Sequence, residues 1–329
     1  MYNFLGALEL ITAPNPSKGT ASKLLLTPNG RDVAAVVSAY SPTKELVENV
    51  ASLKRYVERV IVVDDGSPTD VSGILSDVEA TGARVLRLPE NCGIAAALNA
   101  GMKRARELWE PEWLITMDQD SRFTGNYVED ALEVARSSSS PQTVGLVAPQ
   151  FHNNIRMPLL GTADEPEVFD PMQSGTLIKT SVLDRVGYLD EDFFIDCVDS
   201  EFNARVREAG FRALASAGSN LAHSLGDARP LKILGWHARI GEKKLSVHYH
   251  SPFRVYYITR NSFVLMRRYA LSQPKWILRR LYMELQSHAV RFVYGPNRRK
   301  HLIGFLYGLR DGLINRMGKI DPRLAERLR

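Results

Sequence analysis

The 329-residue sequence is poor in the features that place a protein fastest. It has two cysteines, Cys92 and Cys197. Two are too few for a disulfide framework and their spacing is not that of a zinc site, so both read as free thiols of a reducing compartment. No window reaches the roughly 18 uninterrupted apolar residues that a spanning helix needs. The N-terminus MYNFLGALELITAPNP also lacks the basic flank of a secretory signal. Both point to a cytoplasmic protein. No G-x-G-x-x-G follows the first strand and no G-x-x-x-x-G-K-[ST] occurs anywhere, which moves dinucleotide dehydrogenases and P-loop enzymes down. Internal repeats are absent, and low complexity is confined to Ser137–Ser140.

What is present is ordinary in amount and uneven in place. An apolar fraction of 44% and a charged fraction of 24% are those of a globular protein, so disordered and collagen-like classes drop out. The length admits one large α/β domain, alone or with a helical appendage. Formal charge is +5. From Arg254 onward Lys and Arg clearly outnumber Asp and Glu, a bias that suits an anionic membrane surface, phosphorylated substrates or nucleic acid. No recognisable nucleic-acid module accompanies it, so nucleic acid is not expected as a partner.

Residues 1–30 hold Pro14, Pro16 and Pro28 and read as an irregular lead-in. A βαβ rhythm then begins. "VAAVVSAY" (Val33 to Tyr40) is a small-apolar run fit for a strand buried on both faces. A helix capped by Ser41 or Thr43 follows to about Tyr56, then a strand "VERVIVVDDGS", a helix near Val71–Ala80 and a strand "ARVLRLPEN". A helix from near Gly93 and a strand "EWLITMDQD" complete this half. Such alternation predicts a mainly parallel, doubly wound sheet. Beyond it come a strand "VGLVAPQ", an irregular loop over 151–170, and a strand in "MQSGTLIKT" leading to a helix at Ser181–Val186. A further helix carries the stripe Val198, Phe202, Val206 and Ala209 and ends at Gly210. From about Pro252 the pattern is helical to the end. The expected organisation is a lead-in (1–30), a catalytic domain (31–250, with a nucleotide-binding half 31–120 and an acceptor half 121–250) and a basic amphipathic helical region (251–329).

Four polar clusters fall at strand ends: Tyr40-Ser41, Asp64-Asp65-Gly66-Ser67, Asn91-Cys92-Gly93 and Asp118-Gln119-Asp120. In a parallel sheet these ends share one edge, where open α/β sheets bind ligands. Each cluster alone is compatible with a turn or a helix cap. In extended backbone Asp118 and Asp120 leave the same face, and their repulsion asks for a shared proton, a basic partner or a divalent cation. An acidic strand end can accept from a pyrimidine imide or a ribose hydroxyl, and a metal on the aspartates can neutralise a diphosphate. Together they describe a nucleotide-diphosphate site.

"VSAYSP", "VIVVDDGSPTD", "LPENCGIAAALNAGM", "ITMDQDS", "MQSGTLIKTSVLDRVGYLDEDFFIDCVDSEFNARVREAGF" and "HYHSPFRVYYITRN" occur in the order of a known family. From about Val33 to Asn261 the chain resembles the family-2 inverting glycosyltransferases of GT-A fold. Within that family it is most similar to bacterial rhamnosyltransferases that build surface polysaccharides. The resemblance implies a Rossmann-like, mixed but mainly parallel sheet flanked by helices. It places Tyr40, Asp64 and Asp65 at the nucleobase and ribose, and Asn91, Gly93 and Asn99 along the nucleotide. Asp118 and Asp120 match the family's Asp-x-Asp, seen with Mg²⁺ or Mn²⁺, Asp118 serving nucleotide and metal alike. Asp199 matches the base that activates the acceptor hydroxyl, with Val198 where many relatives carry Glu. Partial burial there would raise its pKa and the helix N-terminus would lower it. Glu201 reads as structural, paired with Arg205 at i, i+4.

The reaction so implied is a direct displacement with inversion, from dTDP-rhamnose to a hydroxyl of a saccharide or polyprenyl-diphosphate-linked acceptor. A UDP-hexose or UDP-galactofuranose donor fits the same strand ends. Arg254 and Arg260 are candidates for the diphosphate because guanidinium forks match phosphate oxygens. His223 or His250 would add a third metal ligand or an acceptor contact. The C-terminal helices suit peripheral contact with the inner face of a membrane, or else packing on the catalytic domain or on a second copy in a homodimer. A non-catalytic carbohydrate- or sugar-nucleotide-binding protein is the competing class, although it would not need Asp118, Asp120 and Asp199 together.

Overall fold

In the computed structural model the described residues are 32–160, 165–223, 250–294 and 297–329, with short strand pieces between Ala228 and His248. The expected lead-in 1–30 lies outside them. The chain divides into two compact units. Among the described residues, one runs from 32 to Phe194 and adds Val198–His223; the other comprises Ile195–Cys197 and the C-terminal part up to Arg329.

The first unit is built on β1 (Val33–Ala39), β2 (Arg59–Asp64), β3 (Arg84–Arg87) and β4 (Trp113–Asp118). Between them run α1 (Glu45–Leu53), α2 (Ser72–Ala80) and α3 (Ile94–Trp109). All four strands are parallel, in the order β3-β2-β1-β4. Val33 to Val36 are wholly buried because β1 is covered on both faces. Val33, Ala35 and Val37 join α1 and α2 through Leu46, Val50, Leu75 and Val78. Val36 faces the other way onto α3, where a Cβ on Gly101 would lie 2.3 Å from its side chain, so only glycine lets α3 approach this closely. The period of two along the strand thus divides one apolar run between two helical layers.

Beyond β4 the chain adds β5 (Ser121–Thr124), α4 (Tyr127–Ser137), β6 (Val144–His152), β7 (Ile155–Arg156), β8 (Leu159–Leu160) and β9 (Glu167–Val168). Then follow β10 (Thr176–Lys179), α5 (Thr180–Val186), α6 (Val198–Glu208) and β11 (Arg212–His223). The sheet continues β4-β10-β6-β11-β9-β8, with β10 antiparallel to both neighbours and β11 parallel to β6. It is mixed and mainly parallel, as expected. Two expectations need correction. Residues 151–170 hold three two-residue strands because their backbone adds to the β6 and β11 edges. The long strand β11 escaped notice because its residues alternate poorly. Of the two expected caps of α1 only Thr43 serves, its Oγ1 accepting from the Glu45 N–H at 3.4 Å, while the Ser41 N–H donates to Ser67 Oγ.

In the second unit the described helices are α7 (Pro252–Tyr269), α8 (Pro274–Tyr294), α9 (Arg298–Leu313) and α10 (Pro322–Leu328). Ser251 caps α7, accepting from the Arg254 N–H, and Pro252 occupies the first turn, where no N–H is needed. Helices α7 and α9 pack backbone to backbone. Cβ atoms on Gly304, Gly308 and Gly312 would lie 2.6, 2.5 and 3.0 Å from the carbonyl oxygens of Pro252, Tyr256 and Arg260. The two rows share a spacing of four, so one glycine face fits one helix ridge. Tyr256 closes the contact by donating its hydroxyl to Asp311 at 2.7 Å.

Candidate active site

The parallel register lines up the strand ends. Ala39 pairs with Asp64 and Ser38 with Asp118, so the acidic termini of β2 and β4 flank the end of β1 on one sheet edge. Gly66, at φ +60°, turns the chain there, and a Cβ on it would sit 2.1 Å from the Glu90 carbonyl carbon. That close approach sets Asn91-Cys92-Gly93 beside the end of β2. All four clusters expected from the sequence therefore meet in the first unit.

Hydrogen bonds lace them together. The buried Asp65 carboxylate accepts from the N–H groups of Cys92 at 2.7 Å and Gly93 at 2.9 Å, joining the β2 end to the start of α3. Asp65 thus braces the end of β2 against the start of α3. Asp64 accepts from the Ser67 N–H and hydroxyl. Tyr40 is 40% exposed at the edge, its ring available for stacking. Gln119, the residue between the two aspartates, clamps Tyr40: its Oε1 accepts from the Tyr40 N–H at 3.0 Å and its Nε2 donates to the Tyr40 carbonyl at 3.3 Å. Asn99 lies inside α3. It is buried, and its amide is committed to both backbone groups of Leu189 and to Glu191, so it holds that loop.

Strand β4 ends at Asp118, and Gln119-Asp120 is a turn into β5. The two carboxylates therefore do not project from one continuous strand, as extended geometry would have it, because β5 leaves β4 to pair with β11. Asp118 is held from the β10 side: its N–H donates to Ser174 Oγ at 3.0 Å and its carboxylate accepts from Gln173 Nε2. His223 pairs through its backbone with Ser121, the residue after Asp120; its side chain lies outside the described residues. Among the described residues no three His, Cys, Asp or Glu side chains gather as a metal cluster.

Asp199 lies half-buried in the first turn of α6 and accepts from the Ser200 N–H at 2.8 Å. The Ser200 hydroxyl reaches Asp170 at 2.8 Å, so a second carboxylate borders Asp199 through a shared serine. The segment before α6 is tightly wound. Phe194, Asp196 and Cys197 all have φ of +62°, costly for non-glycine residues. Phe194 also accepts from the Ile94 N–H at 2.9 Å, fastening this approach to the start of α3. Glu201 gives both oxygens to Arg205, as expected.

The remaining expected residues belong to the second unit. Arg254 is ion-paired with Asp196. Arg260 is fully buried; its guanidinium donates to Gly318 O at 2.6 Å and lies 4.8 Å from the Tyr257 ring centroid. In this unit it packs α7 against Gly318 and the Tyr257 ring. His250 is half-buried next to the cap of α7. Gln173 and Asp170 are the residues that sequence reasoning missed, and the clamp that Gln119 makes on Tyr40 was not readable, since a glutamine in a turn carries no chemical signature of its own.

Residues 35–185 match the model of Glycosyl transferase family 2. They form a family-2 glycosyltransferase domain. A match spans the whole sheet edge described above, from β1 to α5, and the protein is a glycosyltransferase. The chain is 28% identical over 252 residues to the dTDP-rhamnosyl transferase RfbF of Shigella flexneri, covering 72% of this chain and 80% of that protein. Its fold is that of the S. aureus TarS structure, with a TM-score of 0.52 and 16% identity over 89% of this chain; the chain spans only 50% of TarS. The mannosyltransferase PcManGT of Pyrobaculum calidifontis, solved with GDP-Man and Mn2+, matches with a TM-score of 0.51 and 16% identity over 86% of this chain and 87% of PcManGT. The family-2 domain thus sits on a GT-A-like sheet.

Proposed function

We propose that this glycosyltransferase moves L-rhamnose from dTDP-rhamnose to a hydroxyl of a saccharide or lipid-linked saccharide acceptor, in the synthesis of a surface polysaccharide. The alignment of Asp64, Tyr40 and Asp118 on one sheet edge carries the nucleotide-sugar part of this reading. The Shigella relative supports the choice of sugar. Tyr40 stacks on the base and Asp64 accepts from its imide N–H or from the ribose. The α3 N-terminus, braced by Asp65, faces the phosphates with its positive end.

Asp118 and Asp120 would hold Mg²⁺ or Mn²⁺. Two hard carboxylates suit such a cation, which keeps open positions for water and for the substrate's phosphate oxygens. The His223 backbone, paired beside Asp120, makes that residue the candidate third ligand. When bound, the metal supplies positive charge to a departing diphosphate, as the Mn2+ in the PcManGT complex suggests. Asp199 takes the acceptor hydroxyl's proton while the oxygen bonds to the anomeric carbon. The bond from that carbon to the diphosphate oxygen breaks, and the configuration inverts with no covalent enzyme intermediate. Ser200 orients the Asp199 carboxylate through its N–H.

The deciding experiment measures nucleoside diphosphate release from dTDP-rhamnose, UDP-glucose and UDP-galactofuranose, with Mn²⁺ or with EDTA. The expected outcome is metal-dependent turnover of dTDP-rhamnose that Asp120→Asn and Asp199→Asn both lose. Turnover of a UDP-sugar in its place would overturn the donor. A protein that neither hydrolyses nor calorimetrically binds any of the three would overturn the nucleotide-sugar reading.

A further inference from the structure

Helices α8 and α9 each bury one face and leave a narrow apolar seam on another. On α8, Leu278, Tyr282 and Leu285 are 67, 57 and 67% exposed, and Leu271 in the preceding turn is 98% exposed. On α9, Leu302, Leu306 and Leu313 are 48, 53 and 56% exposed, followed by Ile314 at 64%. Separations of four and three on α8, and of four and seven on α9, put each set on one side of its helix. Scattered surface leucines need no explanation, whereas an apolar seam along one side of each of two helices is surface suited to burial against a partner.

Charge decides what. Residues 250–329 contain 17 Lys and Arg against 4 Asp and Glu, a net of +13 in a chain whose total is +5; the other 249 residues therefore carry −8. Two of the four acids are buried and ion-paired, Glu284 with Arg280 and Asp311 with Arg310. Exposed cations stand within about a turn of the seams: Lys275 before Leu278, Arg299 before Leu302, and Arg316 after Ile314. A second copy docked through the same face would set +13 against +13 with few acids to relieve it. Nucleic acid would satisfy the cations and leave the leucines in water. A sheet of anionic phospholipid satisfies both, and no helix among the described residues is long and apolar enough to cross it.

We propose that the α8 and α9 seams seat this chain on an anionic phospholipid surface. The leucines and Tyr282 enter the boundary between headgroups and acyl chains, and the flanking Lys and Arg lie over the lipid phosphates. The inference stands on the second unit alone and does not depend on which sugar is transferred.

Flotation of the full chain with vesicles tests it. Protein should rise with vesicles of phosphatidylcholine mixed with phosphatidylglycerol, stay down with phosphatidylcholine alone, and be released by salt. Two double variants, Leu278→Glu with Leu285→Glu and Lys275→Glu with Arg299→Glu, should each weaken partition by at least about tenfold while keeping the circular dichroism and melting of the parent. Equal binding to both vesicle types would overturn the proposal, as would partition that ignores the leucine variant. So would a dimer by light scattering that the leucine variant dissociates, or retention by duplex DNA in preference to the vesicles.

Discussion

Gln173 turns its side-chain amide toward Asp118, donating Nε2 to the carboxylate, while its Oε1 is buried with no hydrogen-bond partner among the described residues. A carboxylate only accepts, so the amide orientation is chemically determined: the NH₂ must face Asp118 and the carbonyl must face away. The backbone carbonyl of Gln173 accepts from Thr116 at 2.6 Å, which pins the residue to β4 just before Asp118. Gln173 is therefore a positioning residue for the first aspartate of the Asp-x-Asp.

Replacing it tests that role. Hydrogen bonds to charged groups contribute about 1.5–3 kcal/mol, so Gln173→Ala should lower kcat/KM by roughly ten- to a hundredfold. Gln173→Glu should lose more, because a second carboxylate replaces the donor. Mn²⁺ titration separates positioning from general disruption: the apparent metal affinity should fall in both variants while the melting temperature of Gln173→Ala stays near that of the parent.

Legibility in the sequence followed the physics of each element. Strands β1, β2 and β4 were readable because burial on both faces demands continuous apolar runs, and their acidic ends were readable because charge interrupts such runs. Strand β11 and the three two-residue strands were not, since their pairing is decided by distant edges. The distinction between Asp64 and Asp65 was equally invisible: adjacent aspartates look alike until the fold brings the Cys92 and Gly93 N–H groups to one of them. The surroundings of Arg260 were hidden for a related reason. Arginine suits phosphate, but here tyrosine rings and a backbone carbonyl supply its partners inside the helices.

The two thiols should separate cleanly. Cys92 is exposed, whereas Cys197 is buried, and burial pushes its thiol up to about 12 despite the Arg280 guanidinium beside it. Thiolate is the reactive form. At mildly alkaline pH a disulfide reagent should titrate Cys92 alone in the native protein and Cys197 only after denaturation. Rapid native labelling of Cys92→Ser would contradict the packing described for Cys197.

Glu165 gives a pH dependence with a definite sign. The Ser139 N–H and the Arg212 guanidinium hold its carboxyl at about 2, below its ordinary value of 4.5. A depressed native pKa means that the ionised form stabilises the fold above about 4.5 and that this contribution is lost as pH falls toward 2. Urea midpoints of the parent and Glu165→Gln should differ at neutral pH and converge across that window. A constant offset down to pH 2 would show that the stabilisation is not tied to ionisation.

Gly93 joins the stability of the fold to the proposed nucleotide edge. Its φ of +95° and ψ of 160° fall in a region open essentially to glycine alone. A Cβ there would also lie 2.5 Å from the Phe194 carbonyl oxygen. Gly93→Ala should therefore cost about 1–3 kcal/mol in strain alone, read as a lowered denaturation midpoint. Relief of that clash must move either the Gly93 N–H away from Asp65 or Phe194 away from α3, and Phe194 precedes the turn that delivers Asp199. The variant should lose turnover even at temperatures where it remains folded. Asn99→Ala, which frees the Leu189 loop, should lose stability with a smaller effect on donor affinity. Equal donor affinity in the parent and Gly93→Ala, measured calorimetrically on folded protein, would detach Gly93 from the edge that Asp65 braces.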